Sequence, residues 1–242
     1  MQSFILAAGL GTRLKPLTDK MPKAMVPVVG KPLLEHTLTK LHTSGVSNFV
    51  INVHHFSQQI KDYVATHRLK DSIKISDESE CLLDTGGGLR NAQKLFNTNE
   101  PVLIHNVDIL SNANLTFFYN YASPNAATLL VSTRPTQRYL LFNKKMRLVG
   151  WTNISTGEVR SPYKNLNIED CMLYAFSGIH VFSPMLFPLM ESFPSKFSIM
   201  DFYLSICDKV EIIGYAMENL KLLDVGKCDT LEKAEDLLNQ IE

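Results

Sequence analysis

The sequence predicts an α/β protein built on a mixed, mainly parallel sheet with helices on both faces. Two observations lead there. Short apolar runs of strand length alternate with amphipathic helical segments through the first half of the chain, the pattern left by crossover connections between parallel strands. The loops at Gly9, His54, Asp84 and Asp108 follow strand ends in that pattern, where such sheets seat their ligands.

The elements follow in order. Residues 3–8 form a short, fully buried strand. Residues 9–25 are a loop rich in Gly, Pro, Thr and Lys. Pro32 opens a helix whose Leu34, Leu38 and Leu41 share one face, and Gly45 ends it. Residues 48–53 are a second buried strand, 56–68 a helix and 73–76 a short strand. Gly86, Gly87 and Gly88 precede a helix that runs to about Phe96. Residues 101–107 are another strand, 115–122 a helix and 126–133 a strand. Beyond residue 134 the pattern changes to strands at 139–142, 148–152 and 171–182, with a polar loop at 156–170. A helix at 199–208, strands at 210–215 and 220–224 and a last helix at 230–241 complete the chain.

The 242 residues are 45% hydrophobic, enough for one core that buries roughly 70–75% of the unfolded surface. One domain, 1–242, is expected, in two halves, 1–133 and 134–242, divided where the pattern changes. No hexapeptide repeat follows, so no left-handed β-helix module is expected. Lys and Arg total 24 and Asp and Glu 24, so there is no basic footprint for nucleic acid, and a bound anion must be held locally. Cys81, Cys171, Cys207 and Cys228 fit no zinc spacing and are expected to be reduced thiols. The first residues lack a signal-peptide pattern, and no apolar stretch nears the roughly 18 residues of a membrane span. A soluble, cytoplasmic protein is expected, monomeric or homodimeric, with no membrane partner.

The chemically informative stretch runs from Leu6 through Ala7, Ala8, Gly9, Gly11, Thr12 and Arg13 to Lys23. Gly9 and Gly11 let backbone N–H groups approach an anion closely. Arg13 presents a planar donor fork and Lys23 a compact charge. Pro16, Pro22 and Pro27 limit the loop's freedom, so less entropy is lost when it closes. No Gly-Lys-Ser/Thr falls at the Walker offset, and no third glycine opens a helix as in the dinucleotide fingerprint. Two glycines and an arginine alone would suit an ordinary connector; the whole run does not.

The run LAAGLGTRLKPLT followed by PKAMVPV resembles the signature of sugar-1-phosphate nucleotidyltransferases. Asp84-Thr85-Gly86-Gly87-Gly88, Asn106-Val107-Asp108, Phe176-Ser177-Gly178 and Asp224-Val225-Gly226 extend the likeness toward the short N-acetylmuramate-1-phosphate uridylyltransferase branch and its mannose-1-phosphate guanylyltransferase-like relatives. The resemblance implies a Rossmann-like nucleotide-diphospho-sugar transferase fold. It implies an NTP and a sugar 1-phosphate as substrates and Mg²⁺ as cofactor. Arg13 and Lys23 would serve the triphosphate and the transition state. Ala7, Ala8, Gly9, Gly11, Thr12, Thr85, Gly86, Gly87 and Asn106 would bind the nucleotide. Ser177 and Gly178 would face the sugar, and Asp108 and Asp224 would hold the metal.

Two departures stand out. Val107 occupies a position where that family usually has glycine. The middle Glu-Lys-Pro, whose lysine serves the sugar phosphate, is missing near Trp151, with Arg160 or Lys164 as substitutes. His54 and His55 lack a third metal ligand nearby and read as polar loop residues. Asp77, Glu78 and Glu80 read as a solvated acidic loop. Ser177 has no nucleophile-elbow context.

The chemistry is simple to state. A sugar phosphate, with a second pKa of about 6, is already a nucleophile at neutral pH. The obstacle is bringing two anions together, which is work for positioning and electrostatics. Two alternatives stand beside this expectation. One is a cytidylyltransferase for a non-sugar phosphate such as phosphocholine. The other is a catalytically weak nucleotide-sensing regulator. A substrate panel separates the first, and pyrophosphate release the second.

Overall fold

A computed structural model describes residues 1–241, apart from the side chains of residues 228 and 241. In chain order its elements are β1 (Gln2–Leu6), β2 (Pro27–Val28), β3 (Lys31–Pro32), α1 (Leu33–Thr43), β4 (Asn48–Val53), α2 (Ser57–Thr66), β5 (Ile73–Asp77), α3 (Asp84–Asn91), β6 (Val102–Asn106) and β7 (Ile109–Ser111). There follow α4 (Leu115–Ala122), β8 (Ala127–Ser132), β9 (Arg138–Phe142), β10 (Leu148–Asn153), β11 (Glu158–Arg160), β12 (Met172–Phe182), α5 (Ile199–Ile206), β13 (Ile212–Ala216), β14 (Leu222–Asp224) and α6 (Cys228–Ile241).

Strands β5, β4, β1 and β6 lie side by side and parallel. Strands β4, β1 and β6 are buried on both faces, whereas β5 at the edge alternates, with Lys74 and Asp77 exposed. Strand β12 pairs antiparallel with β9 through residues 172–174, with β6 through 179–182 and with β8 along 175–182. Among the described residues the sheet has ten strands, in the order β11-β10-β9-β12-β6-β1-β4-β5, with β8 on β12 and β13 on β8.

Neighbouring residues of a strand point to opposite faces, and the two faces have separate cores. Phe4, Val50 and Phe182 meet Leu89 of α3 and Phe202 of α5. Ile5, Ile51 and Leu103 meet Leu34, Leu38 and Leu41 of α1 and Phe118 of α4. Each such fully buried side chain contributes about 1.5–3 kcal/mol. A third cluster, with Leu14, Val26, Leu33, Leu110, Val225 and Leu238, pins the glycine loop to α6 and to the β7–β14 ribbon.

The structure corrects three expectations. The glycines do not precede a helix; Gly86, Gly87 and Gly88 lie inside α3. Interior glycine costs helix stability, and close packing requires it here. A Cβ on Gly87 would strike the Ser195 carbonyl, and one on Gly86 the Phe197 ring. Residues 156–170 are not all loop, since they include β11 and a 3₁₀ turn, Ile168–Asp170. Strand β7, unforeseen because it is only three residues long, pairs antiparallel with β14 and sets Asp224 against Ile109.

Gly87→Ala should destabilise the protein by about 1–3 kcal/mol, the range for overpacking a filled site, because the obstacle is backbone. Chemical denaturation checks this; an unchanged midpoint would mean that the 195–199 segment yields. Cys81, Cys171 and Cys207 are free thiols, and the side chain of Cys228 lies outside the described residues. Among the described residues, no helix is long and apolar enough to cross a membrane.

Candidate active site

The carboxyl ends of β1, β4 and β6 open onto a cleft of about 360 Å³. Ala7, Ala8 and Gly9 leave β1 and line it beside Lys23, Asn52, Glu78, Thr85, Asn106 and Asp108. Asn52 is a buried polar residue in the middle of an apolar strand. Its Oδ1 accepts the Ala7 N–H at 2.7 Å and the Ala8 N–H at 3.3 Å. Its Nδ2 donates to Glu78 Oε1 at 2.8 Å. The N–H groups of Ala7 and Ala8 are thus engaged within the protein, while Gly9 is exposed and has open space where a Cβ would stand.

Glu78 is no solvated loop residue: it is 3% exposed. Its Oε2 accepts the Leu83 N–H, and the His54 ring bonds its carbonyl. Burial pushes its carboxyl above the usual range, against the pull of Asn52. This Asn52–Glu78 pair was missed in the sequence, where the one signal was a lone Asn inside Phe-Val-Ile-Asn-Val.

Thr85 reaches the cleft, but Gly86 and Gly87, expected beside it, do not line it. Both are buried, and their N–H groups donate to the Phe197 carbonyl. Arg90 holds the same segment, donating to the carbonyls of Met190, Phe193 and Pro194 at 2.7–2.8 Å and lying over the Phe197 ring. The docked segment delivers Lys196 to the small cleft and Ser198, Met200 and Asp201 to a second one.

That second cleft, about 1060 Å³, is lined by Arg13, Arg134, Arg138, Trp151, Arg160, Phe176 and Asp224, among others. Arg13 stands on a 3₁₀ turn, Thr12–Leu14, anchored by fully buried Leu14. Thr12 is exposed. Gly11 adopts φ 64° with Thr18 and Lys23 packed where a Cβ would go, so only glycine fits that turn. A Cβ on Gly226 would come within 2.6 Å of Asp224 Oδ1 and 2.8 Å of Arg13 Nη2, so glycine leaves room for both side chains.

The two clefts meet at the carboxylates. Lys23, buried, is ion-paired with Asp108 Oδ2. Asp224 Oδ1 is sealed from solvent without a hydrogen-bond partner. Burial and then the neighbouring Asp108 charge raise the Asp224 carboxyl above the usual range, while Lys23 and Arg13 pull it down. Two facing carboxylates with an orphaned oxygen could hold a cation. Among the described residues no three of His, Cys, Asp and Glu gather, so remaining ligands would come from water or substrate oxygens. That donor set suits Mg²⁺, which takes one or two carboxylates and keeps waters and phosphate oxygens.

Val107 does not disturb this geometry. It is buried, its N–H donates to the Leu6 carbonyl and its own carbonyl accepts Thr37 Oγ1. Ser177 is wholly buried, in a bulge of β12 where Gly178 at φ 74° packs on Asn106; its hydroxyl does not line either cleft as a side chain. Lys164 lies on a separate cleft with Tyr163 and Asn167 and is no substitute for the missing lysine. Arg160 lines the larger cleft, engaged with Asp201 at 2.7 Å and Trp151.

A family profile described as nucleotidyl transferase matches residues 2–141. The chain belongs to the nucleotidyl transferase family. It is 41% identical over 109 residues to an N-acetylmuramate alpha-1-phosphate uridylyltransferase of Caulobacter vibrioides, covering 44% of this chain and 45% of that one. It is 32% identical over 143 residues to the mannose-1-phosphate guanylyltransferase catalytic subunit beta of Dictyostelium discoideum, covering 57% of this chain and 40% of that one. The aligned part is less than half of either relative's length. HddC of Yersinia pseudotuberculosis, solved with GMP-PN, superposes with a TM-score of 0.76 at 21% identity over 97% of this chain and 98% of that one. At that identity the likeness shows the fold.

Proposed function

We propose that the chain transfers a nucleoside monophosphate from an NTP to a sugar 1-phosphate and releases pyrophosphate, with Mg²⁺ as cofactor. The observation that supports this most is the facing pair Asp108 and Asp224, flanked by Lys23 and Arg13, where the two clefts join. In this reading residues 1–133 supply most of the nucleotide cleft and residues 134–242 most of the acceptor cleft, with Lys196 and Arg13 each crossing over. The names of the two relatives, each a nucleotidyltransferase for a sugar 1-phosphate, support the same substrate class.

The residues divide the work as follows. Asn52 and Glu78 hold the end of β1 so that Gly9 can meet the nucleotide. Lys23 and Arg13 place positive charge about the α-phosphate and the leaving pyrophosphate. Asp108 and Asp224 would hold the cation, which supplies charge neutralisation on the phosphate oxygens. The acceptor phosphate, already an oxyanion, needs no general base, so alignment is the remaining requirement.

A pyrophosphate-release screen crossing four NTPs with sugar 1-phosphates tests this. Turnover is expected, with an acceptor other than glucose 1-phosphate preferred, such as an amino-sugar, mannose or heptose phosphate. Acceptor-independent signal, or none, would refute the reading. Glucose 1-phosphate having by far the highest kcat/KM would refute the acceptor choice.

A further inference from the structure

The large cleft contains one cation whose environment is unlike the others. Arg134 follows β8 and is half-buried. Its Nη2 donates to the Phe176 carbonyl at 3.1 Å. Its Nε is sealed from solvent with no hydrogen-bond partner, and among the described residues no carboxylate pairs with it. A guanidinium only donates, and a partly desolvated one without an anion is costly to keep. Arg160, by contrast, has Asp201 and Trp151. Arg13, Arg138 and Lys227 are exposed at the cleft's wall, Arg13 beside Gly226 near Asp224.

Position adds a second argument. The Phe176 carbonyl that aims Arg134 immediately precedes the β12 bulge at Ser177 and Gly178. Gly178 packs on Asn106, two residues before Asp108. The guanidinium is therefore tied, through one carbonyl and one bulge, to the end of β6, just before the turn that carries the first carboxylate. Its place is on the acceptor side of the Asp108–Asp224 pair.

We propose that Arg134 is the residue that binds the acceptor's phosphate and aims it at the α-phosphorus. The assignment rests on the sugar-phosphate reading above. The Phe176 carbonyl fixes one end of the fork and leaves Nη1 for a phosphate oxygen, a geometry that lysine cannot copy.

The test is steady-state kinetics of Arg134→Ala, Arg134→Gln and Arg134→Lys with the best acceptor of the wild-type screen. Arg134→Ala should raise the acceptor KM by about 10- to 100-fold, the scale of a hydrogen bond to a charged group, with the NTP KM unchanged. Arg134→Gln can still donate to Phe176 but carries no charge, so it should remain impaired; Arg134→Lys should recover part of the loss. Thermal melts should show all three folded. An unchanged acceptor KM in Arg134→Ala would overturn the proposal, and so would full recovery in Arg134→Gln, which would make the arginine only a strut for the bulge. A wild-type protein that uses no sugar phosphate would instead sink the functional reading itself.

Discussion

Asp108→Asn and Asp224→Asn should each lower kcat by on the order of 10³-fold or more, since a metal's stabilisation of transition-state charge amounts to several kcal/mol. The two side chains face each other closely enough for Asp108 to raise the Asp224 carboxyl. They would serve one ion and act as a unit, so the double variant should lose little beyond either single one. Stability separates the two. In the metal-free protein Asp224 is half-buried beside a like charge, so Asp224→Asn should melt no lower than wild type. Asp108→Asn removes the carboxylate partner of buried Lys23, and it should melt lower. Kinetics over a Mg²⁺ series with EDTA controls, alongside thermal melts, measure both. Losses that multiply in the double variant, or turnover that survives EDTA, would separate the carboxylates from a shared site.

The second large effect is expected at Arg13. Removing its guanidinium should lower kcat by on the order of 10²–10³, the cost of losing one preorganised transition-state donor. The fold should be intact, because Arg13 is exposed while its neighbour Leu14 supplies the anchor. The relevant comparison is single-turnover rate with saturating NTP, with circular dichroism to show an unchanged fold. A wild-type rate in Arg13→Ala would remove the residue from the chemistry. Arg13→Lys should recover only part, since a point charge cannot reproduce a planar fork.

How far the site was legible varies with the residue. Gly11, Arg13 and Lys23 are close in sequence, and their chemistry announces itself locally. Asp108 and Asp224 could be placed at strand ends, but each alone would suit a loop or a cap. Only the pairing of β7 with β14 brings them together, and three-residue strands leave no periodic signal. The glycine run misled for a physical reason. Flexible residues suggest a ligand-facing turn, yet Gly86 and Gly87 are small because Phe197 and Ser195 press against them. Glu78 looked solvated among Asp77 and Glu80, and it is buried because Asn52, 26 residues away in sequence, reaches it.

By itself the sequence determined the local terms: apolar periodicity for the buried strands, proline and glycine at helix ends, and a phosphate-friendly loop after the first strand. Those depend on residues within one or two turns of each other, so composition and spacing suffice. The tertiary structure alone decided which distant groups share a cleft. It set Asp224 beside Asp108, Lys196 in one cleft with Thr85, and Arg134 against the β12 bulge. Such contacts arise from strand register and sheet order, and a long-range pairing leaves no local mark on either partner's neighbours.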